Sequence, residues 1–172
     1  NCSRAFNNID KQVDCGYFST NWDIARDILD TGTISEIGGR VVIDHYISDA
    51  TNMGEDINFL KDRYGAPIVV GEFGAPVPNI HGRMNEVEQA EFVHVLLTEM
   101  YRHKDIIEGV NYWVLANGTS ALLNMDGSER PVVDVIKDFY IPGSVRGTVT
   151  NIIGEPLVNA MITFKDGLTT YT

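Results

Sequence analysis

The run Ala66-Pro67-Ile68-Val69-Val70-Gly71-Glu72-Phe73-Gly74 reads as a short buried strand that ends on a carboxylate. Ile68, Val69 and Val70 form a continuous β-branched stretch, which suits a strand covered on both faces, as in a parallel sheet. Pro67 enters at the strand start, where a missing N–H costs little. Gly71 and Gly74 flank the Glu, so backbone or ligand can come close to it. A Glu at the C-terminal end of a parallel strand is poorly placed for a core and well placed for an active site. The same letters also fit a strand that simply ends at a solvated Glu.

Working outward, the neighbouring segments repeat the theme. Residues 22–29, beginning after a capping Thr20 or Asn21, carry a helical pattern that stops before Gly32. Val41-Val42-Ile43 starts a second buried strand that runs into Asp44-His45-Tyr46. A helix over residues 55–64 follows, with Ile57, Leu60 and Tyr64 on one face and Gly65 just past its end. After the Glu72 strand comes a loop over residues 75–83, with two prolines, Asn79, His81 and Arg83. A long helix over 85–103 places Val87, Ala90, Val93, Leu97, Met100 and Tyr101 at three- and four-residue steps. Residues 110–115 form a third strand, Asn117-Gly118 and Asp126-Gly127 mark turns, and Pro131 opens a last helix. Helix and strand thus alternate over residues 21–140, which predicts an α/β fold with a parallel sheet covered by helices.

The pattern changes at Ile141-Pro142-Gly143, a linker. Beyond it, residues 144–172 alternate apolar and polar with turns at Gly154 and Asp166-Gly167, as in the opening of an all-β domain. Both ends of the chain read as cut, so the sequence is taken as a fragment of a longer protein.

Composition narrows the partners. The 172 residues are 44% hydrophobic, enough for a packed core, and carry a formal net charge of -11. Such an acid excess argues against a nucleic-acid backbone and is compatible with a neutral substrate such as a glycan. No apolar run approaches the roughly 20 residues that span a bilayer. Cys2 and Cys15 fit no zinc spacing; a disulfide in an exported protein and two free thiols both remain open. No Gly-rich phosphate loop follows a strand and no Gly-x-Ser-x-Gly elbow occurs, so neither a nucleotide cofactor nor an open α/β hydrolase is indicated. No metal site or cofactor is expected.

The residues at the strand ends resemble the C-terminal part of a clan A (β/α)8-barrel (TIM-barrel) glycoside hydrolase, most like the family 5 cellulases and mannanases. Val70-Gly71-Glu72-Phe73-Gly74 is similar to the seventh-strand motif, whose Glu is the catalytic nucleophile. Residues 41–46 resemble the sixth strand, and Tyr112-Trp113 the eighth, whose Trp stacks on the sugar. Leu122-Leu123-Asn124-Met125-Asp126-Gly127 with Arg130-Pro131 resembles the exit into the last helix. The residues from Val145 to Ala160 are similar to the first strands of a carboxypeptidase regulatory-like domain, an immunoglobulin-like β-sandwich.

The resemblance implies a barrel portion over residues 1–140, the linker 141–143, and a truncated β-sandwich over 144–172. It implies hydrolysis of a β-glycosidic bond in a polysaccharide of the β-glucan or β-mannan type, with retention, by a secreted or surface enzyme that is a monomer when full length. Glu72 would be the nucleophile, with Tyr46 or His45 beside it. The family shows His-x-Tyr at that strand end, whereas His45 and Tyr46 are adjacent and point to opposite faces; the reading favours Tyr46. Trp113, Asn79 and His81 would contact the sugar, with Arg83 as a further hydroxyl contact. The family's acid/base is a Glu after an Asn on the fourth strand. Asn85-Glu86 has those letters but starts a helix, so the acid/base is expected upstream of residue 1. The competing reading is a non-catalytic carbohydrate-binding surface protein on the same fold.

Overall fold

The computed structural model describes residues 20–36, 38–141, 148–158, 160–163 and 169–171. The chain divides into two compact units, Asn1–Tyr140 and Ile141–Thr172. The first unit holds β1 (Thr20–Asn21), α1 (Trp22–Asp27), α2 (Thr31–Glu36), β2 (Val41–Asp44), α3 (Met53–Tyr64), β3 (Ile68–Phe73), α4 (Pro78–His81), α5 (Glu86–Arg102), β4 (Ile107–Tyr112) and α6 (Val132–Tyr140). Among the described residues its four strands form one parallel sheet in the order β1-β2-β3-β4. Sequence order and spatial order coincide, as when each strand is followed by a crossover helix.

The core lies between the sheet and the helices. Val41, Ile43, Ile68, Val70 and Phe73 are all fully buried and cluster with Met53, Ile57 and Leu60 of α3 and Val93, Leu96 and Leu97 of α5. Each such side chain contributes about 1.5–3 kcal/mol by leaving water. The helices have clear start and stop chemistry. Asn85 accepts from the N–H groups of Val87 (2.9 Å) and Glu88 (3.0 Å), and Glu88 Oε2 accepts from Asn85 N–H (2.8 Å), a complete capping box. Gly65, at φ 58°, closes α3 by donating its N–H to Lys61 (2.8 Å).

The structure departs from the sequence reading in four places. The sheet has four strands, not three: the two polar residues of β1 pair with Ile43 and Asp44, and no hydrophobic pattern announces them. The first helix stops before Gly32 as read, but a second helix, α2, is unexpected: Asp30 accepts from the backbone and hydroxyl of Thr33 (both 2.9 Å) and starts a new turn that takes in Gly32. Strand β4 spans Ile107–Tyr112 rather than 110–115, so Trp113 follows the strand. On α5, Val87 and Tyr101 are exposed, and Gln89 takes the buried place expected of Val87.

In the second unit, β5 (Met161–Thr163) and β6 (Thr169–Tyr171) form an antiparallel pair, and Thr150 bridges Pro156 across a turn whose Gly154 has φ 86°. Asn151 holds that turn by accepting from the N–H groups of Ile153 and Glu155, both at 3.0 Å. An immunoglobulin-like sandwich is not established by these pieces. Cys2 and Cys15 lie outside the described residues.

Candidate active site

Glu72 owes its orientation to a bulge. Ile68 and Val70 face the helices, and strict alternation would send residue 72 into the same core. However, Ile43 and Asp44, one step apart, pair with Val70 and Glu72, two steps apart. On the other side, Val110 and Tyr112 pair with Val70 and Phe73. Strand β3 therefore carries one extra residue relative to both neighbours, at Gly71-Glu72. The bulge resets the alternation. Phe73 enters the helix-facing core, fully buried and edge-on to Tyr112 (5.4 Å), while Glu72 turns to the opposite face and stays partly exposed.

The pair His45-Tyr46 splits across the sheet. His45 is buried on the helix side, stacked on Trp22 (4.7 Å), with Nε2 2.7 Å from Asp56 Oδ2 on α3. Its ring is committed to that pair and not to the Glu72 carboxylate. Its backbone N–H donates to the Glu72 carbonyl (2.8 Å), continuing the ladder one residue past β2. Tyr46 turns the other way, and its phenol donates to Glu72 Oε2 at 3.1 Å. Burial first, and then the bond to the Glu72 carboxylate, hold the Tyr46 hydroxyl well above the usual tyrosine range. The phenol thus remains a neutral donor. It orients one carboxylate oxygen and leaves Oε1 for other work.

Trp113 stands one residue past β4, and its N–H donates to Phe73 O (2.8 Å). Tyr112 faces the helices, so alternation puts Trp113 on the Glu72 face. Its side chain is 51% exposed, an unusual state for so large an apolar group. Gly74 lets the two strand ends meet: a Cβ there would lie 2.3 Å from the Trp113 carbonyl oxygen. The Ala75–Pro76 and Trp113–Val114 peptide bonds are cis.

The other predicted contacts fare differently. Asn79 and Arg83 are exposed, on α4 and just beyond it. His81 has neither ring nitrogen to spare. Its Nδ1 accepts from Val77 N–H (2.7 Å) and its Nε2 donates to Ile47 O (2.7 Å). Burial pushes its pKa below the usual histidine value, which matches a neutral ring serving as one acceptor and one donor. His81 therefore ties the loop after β3 to the segment after β2, with both ring nitrogens bonded to backbone. Asn85 is a helix cap and Glu86 is exposed, so these letters form no acid/base site. Among the described residues, no group of three His, Cys, Asp or Glu side chains is arranged to hold a metal.

Sequence reasoning missed one buried polar pair. Gln89, 1% exposed on α5, and the Tyr112 phenol bind backbone carbonyls of the loops after β3 and β4. Burial raises the Tyr112 pKa, so this phenol too stays protonated. The available signal was position: Gln89 lies four residues before Val93 and seven before Leu96, on the buried stripe.

No protein-family model matches the sequence, and neither does any curated protein. Solved structures do match. A β-glucuronidase from an uncultured Clostridium species aligns at TM-score 0.56 and 15% identity, over 80% of this chain and 28% of its own. A GH39 β-xylosidase from Caulobacter crescentus aligns at 0.54 and 16%, over 78% and 34%. A GH128 endo-β-1,3-glucanase mutant from Amycolatopsis mediterranei, in complex with laminaritriose and laminaribiose, aligns at 0.51 and 16%, over 63% and 49%. This chain thus spans less than half the length of each of these structures. At such identities the likeness concerns fold. The parallel sheet and its helices match part of the TIM-barrel fold of glycoside hydrolases.

Proposed function

We propose that this chain is the C-terminal part of the catalytic barrel of a secreted or surface retaining glycoside hydrolase, with Glu72 as the nucleophile. One observation carries the reading: a bulged central strand presents Glu72 at its C-terminal end, with the Tyr46 phenol on Oε2 and the exposed Trp113 on the next strand end. Retention needs two carboxyls about 5–5.5 Å apart. Glu72 attacks the anomeric carbon and forms the glycosyl-enzyme. A second carboxyl, assigned to a strand upstream of this chain, protonates the leaving oxygen and then activates water. The Trp113 indole offers an apolar face to the C–H face of a sugar ring. We read Asn79 and Arg83, both exposed, as hydroxyl contacts at the lip of the sugar site. The segment from residue 144 we read as the opening of a carboxypeptidase regulatory-like β-sandwich.

The substrate class is a β-linked polysaccharide of the β-glucan or β-mannan type. A β-1,3-glucan belongs on the panel because the GH128 neighbour holds laminaritriose and laminaribiose. The test compares the intact protein with Glu72→Gln on β-glucans, β-mannans and laminarin. Nucleophile catalysis predicts a fall of about a thousandfold or more in the variant. Equal activity in both removes Glu72 from the mechanism. Binding without turnover in the wild type favours the non-catalytic surface protein.

A further inference from the structure

Three buried backbone carbonyls converge on two side chains between the loops that follow β3 and β4. Gln89 Nε2 lies 2.8 Å from Ala75 O, 3.2 Å from Ala121 O and 3.1 Å from the Tyr112 hydroxyl. The Tyr112 hydroxyl lies 2.8 Å from Ser120 O and 3.0 Å from Ala75 O. Ala75, Ser120 and Ala121 are each 5% exposed or less. The donors balance the acceptors. The amide supplies two protons, for Ala75 and Ala121, and the phenol supplies one, for Ser120. Remove either side chain and a buried carbonyl loses its partner, at a cost of about 1–3 kcal/mol.

The places these groups occupy give the network a purpose beyond stability. Ala75 lies three residues past Glu72. Tyr112 immediately precedes Trp113. Ser120 and Ala121 return the loop that Trp113 begins. Gln89 reaches this junction from α5, whose capping box fixes the helix start four residues earlier. The junction thus links the end of the Glu72 strand to the end of the Trp113 strand through side chains that face the helix layer, on the side away from the Glu72 carboxylate. We infer that Gln89 and Tyr112 are positioning residues that set Trp113 in register with Glu72, and so set how firmly the protein holds a sugar ring. The inference rests on the proposed role of Trp113 as sugar platform.

The experiment uses the intact protein with Tyr112→Phe, which deletes one hydroxyl, and Gln89→Leu beside it. Stacking acts on bound and reacting sugar alike, so its weakening raises KM and leaves kcat nearly alone. Tyr112→Phe should raise KM on the best glycan about tenfold, the equivalent of one lost hydrogen bond, with kcat within about twofold. In a Trp113→Ala background the same change should leave KM unmoved, because the residue through which it acts is gone. A second readout needs no activity: the fluorescence component that Trp113→Phe removes reports Trp113, and Tyr112→Phe should increase its quenching by acrylamide. Gln89→Leu should move both readouts in the same direction wherever it folds. A KM effect of full size in the Trp113→Ala background overturns the inference. So does a lowered melting temperature with KM and quenching unchanged, which would make the network merely structural. If the wild type neither binds nor cleaves any glycan, the proposed function fails, and the quenching result still decides whether the network sets Trp113.

Discussion

Gly74→Ala isolates the contact between the two strand ends. Gly74 is not among the glycines with positive φ, so close approach, not torsion, demands it. An alanine Cβ would lie 2.3 Å from the Trp113 carbonyl oxygen, and contacts under 3.0 Å essentially never occur, so a displacement of about 0.7 Å is the minimum. The obstacle is backbone, which cannot rotate aside as a side chain would. Moving Trp113 by that amount stretches its 2.8 Å bond to Phe73 O beyond the normal range. Overpacking of this kind costs about 1–3 kcal/mol. A misplacement of about 1 Å in a site costs as much as a hundredfold in rate, so kcat/KM should fall on the order of tenfold or more. Urea unfolding and glycan kinetics on the intact protein read both numbers. Gly65→Ala is the control: its φ of 58° strains an alanine, yet nothing lies within 4 Å of the new methyl. It should lose about 1 kcal/mol of stability with kcat/KM unchanged. A Gly74→Ala protein as stable and as active as the wild type would refute the reasoning.

Two further predictions concern protons. Tyr46→Phe removes the donor on Glu72 Oε2, and a hydrogen bond to a charged group is worth about 1.5–3 kcal/mol, so kcat/KM should fall about 10- to 100-fold; unchanged kinetics would release Tyr46 from the site. Because the folded state holds the Tyr46 proton above the ordinary tyrosine pKa of about 10, its contribution is full below that pH and is lost as pH rises past it. The urea midpoint of Tyr46→Phe should accordingly decline less than that of the wild type between about pH 9 and 11. For His81 the sign is reversed. Its folded-state pKa is depressed by burial, so the neutral ring stabilises the fold above the unfolded value of about 6.5, and that contribution fades as acid is added. An NMR titration of the His81 ring should give a midpoint below 6.5; a midpoint at or above it would contradict burial as the dominant influence on the ring.

Much of the fold was written in local pattern. Buried β-branched runs marked β2 and β3, and three- and four-residue spacing marked α3 and α5. These signals are legible because each element must bury a face, and burial leaves a period in the letters. Strand β1 left no such trace: two polar residues become a strand only because β2 offers them an edge. Trp113 reads as a continuation of a β-rich run, yet its strand ends at Tyr112, and only the pairing with Phe73 fixes that end.

The site shows the same division more sharply. The presence of Glu72 between two glycines, of a Tyr where the preceding strand runs out, and of the aromatic pair Tyr112-Trp113 in the next β-rich run was determined by the sequence alone. Which way these side chains face was decided by the tertiary structure. Period-two alternation from Ile68 and Val70 would have buried Glu72 against the helices; the one-residue bulge seen only against β2 and β4 turns it to the other face, beside Tyr46. Gln89 is the converse case. Its polar letter argues for solvent, but two carbonyls from two distant loops and the Tyr112 hydroxyl meet its position, and hydrogen-bond satisfaction outweighs the cost of burial. Strand register and long-range backbone pairing are sums over residues far apart in the chain, which is why no local reading contains them.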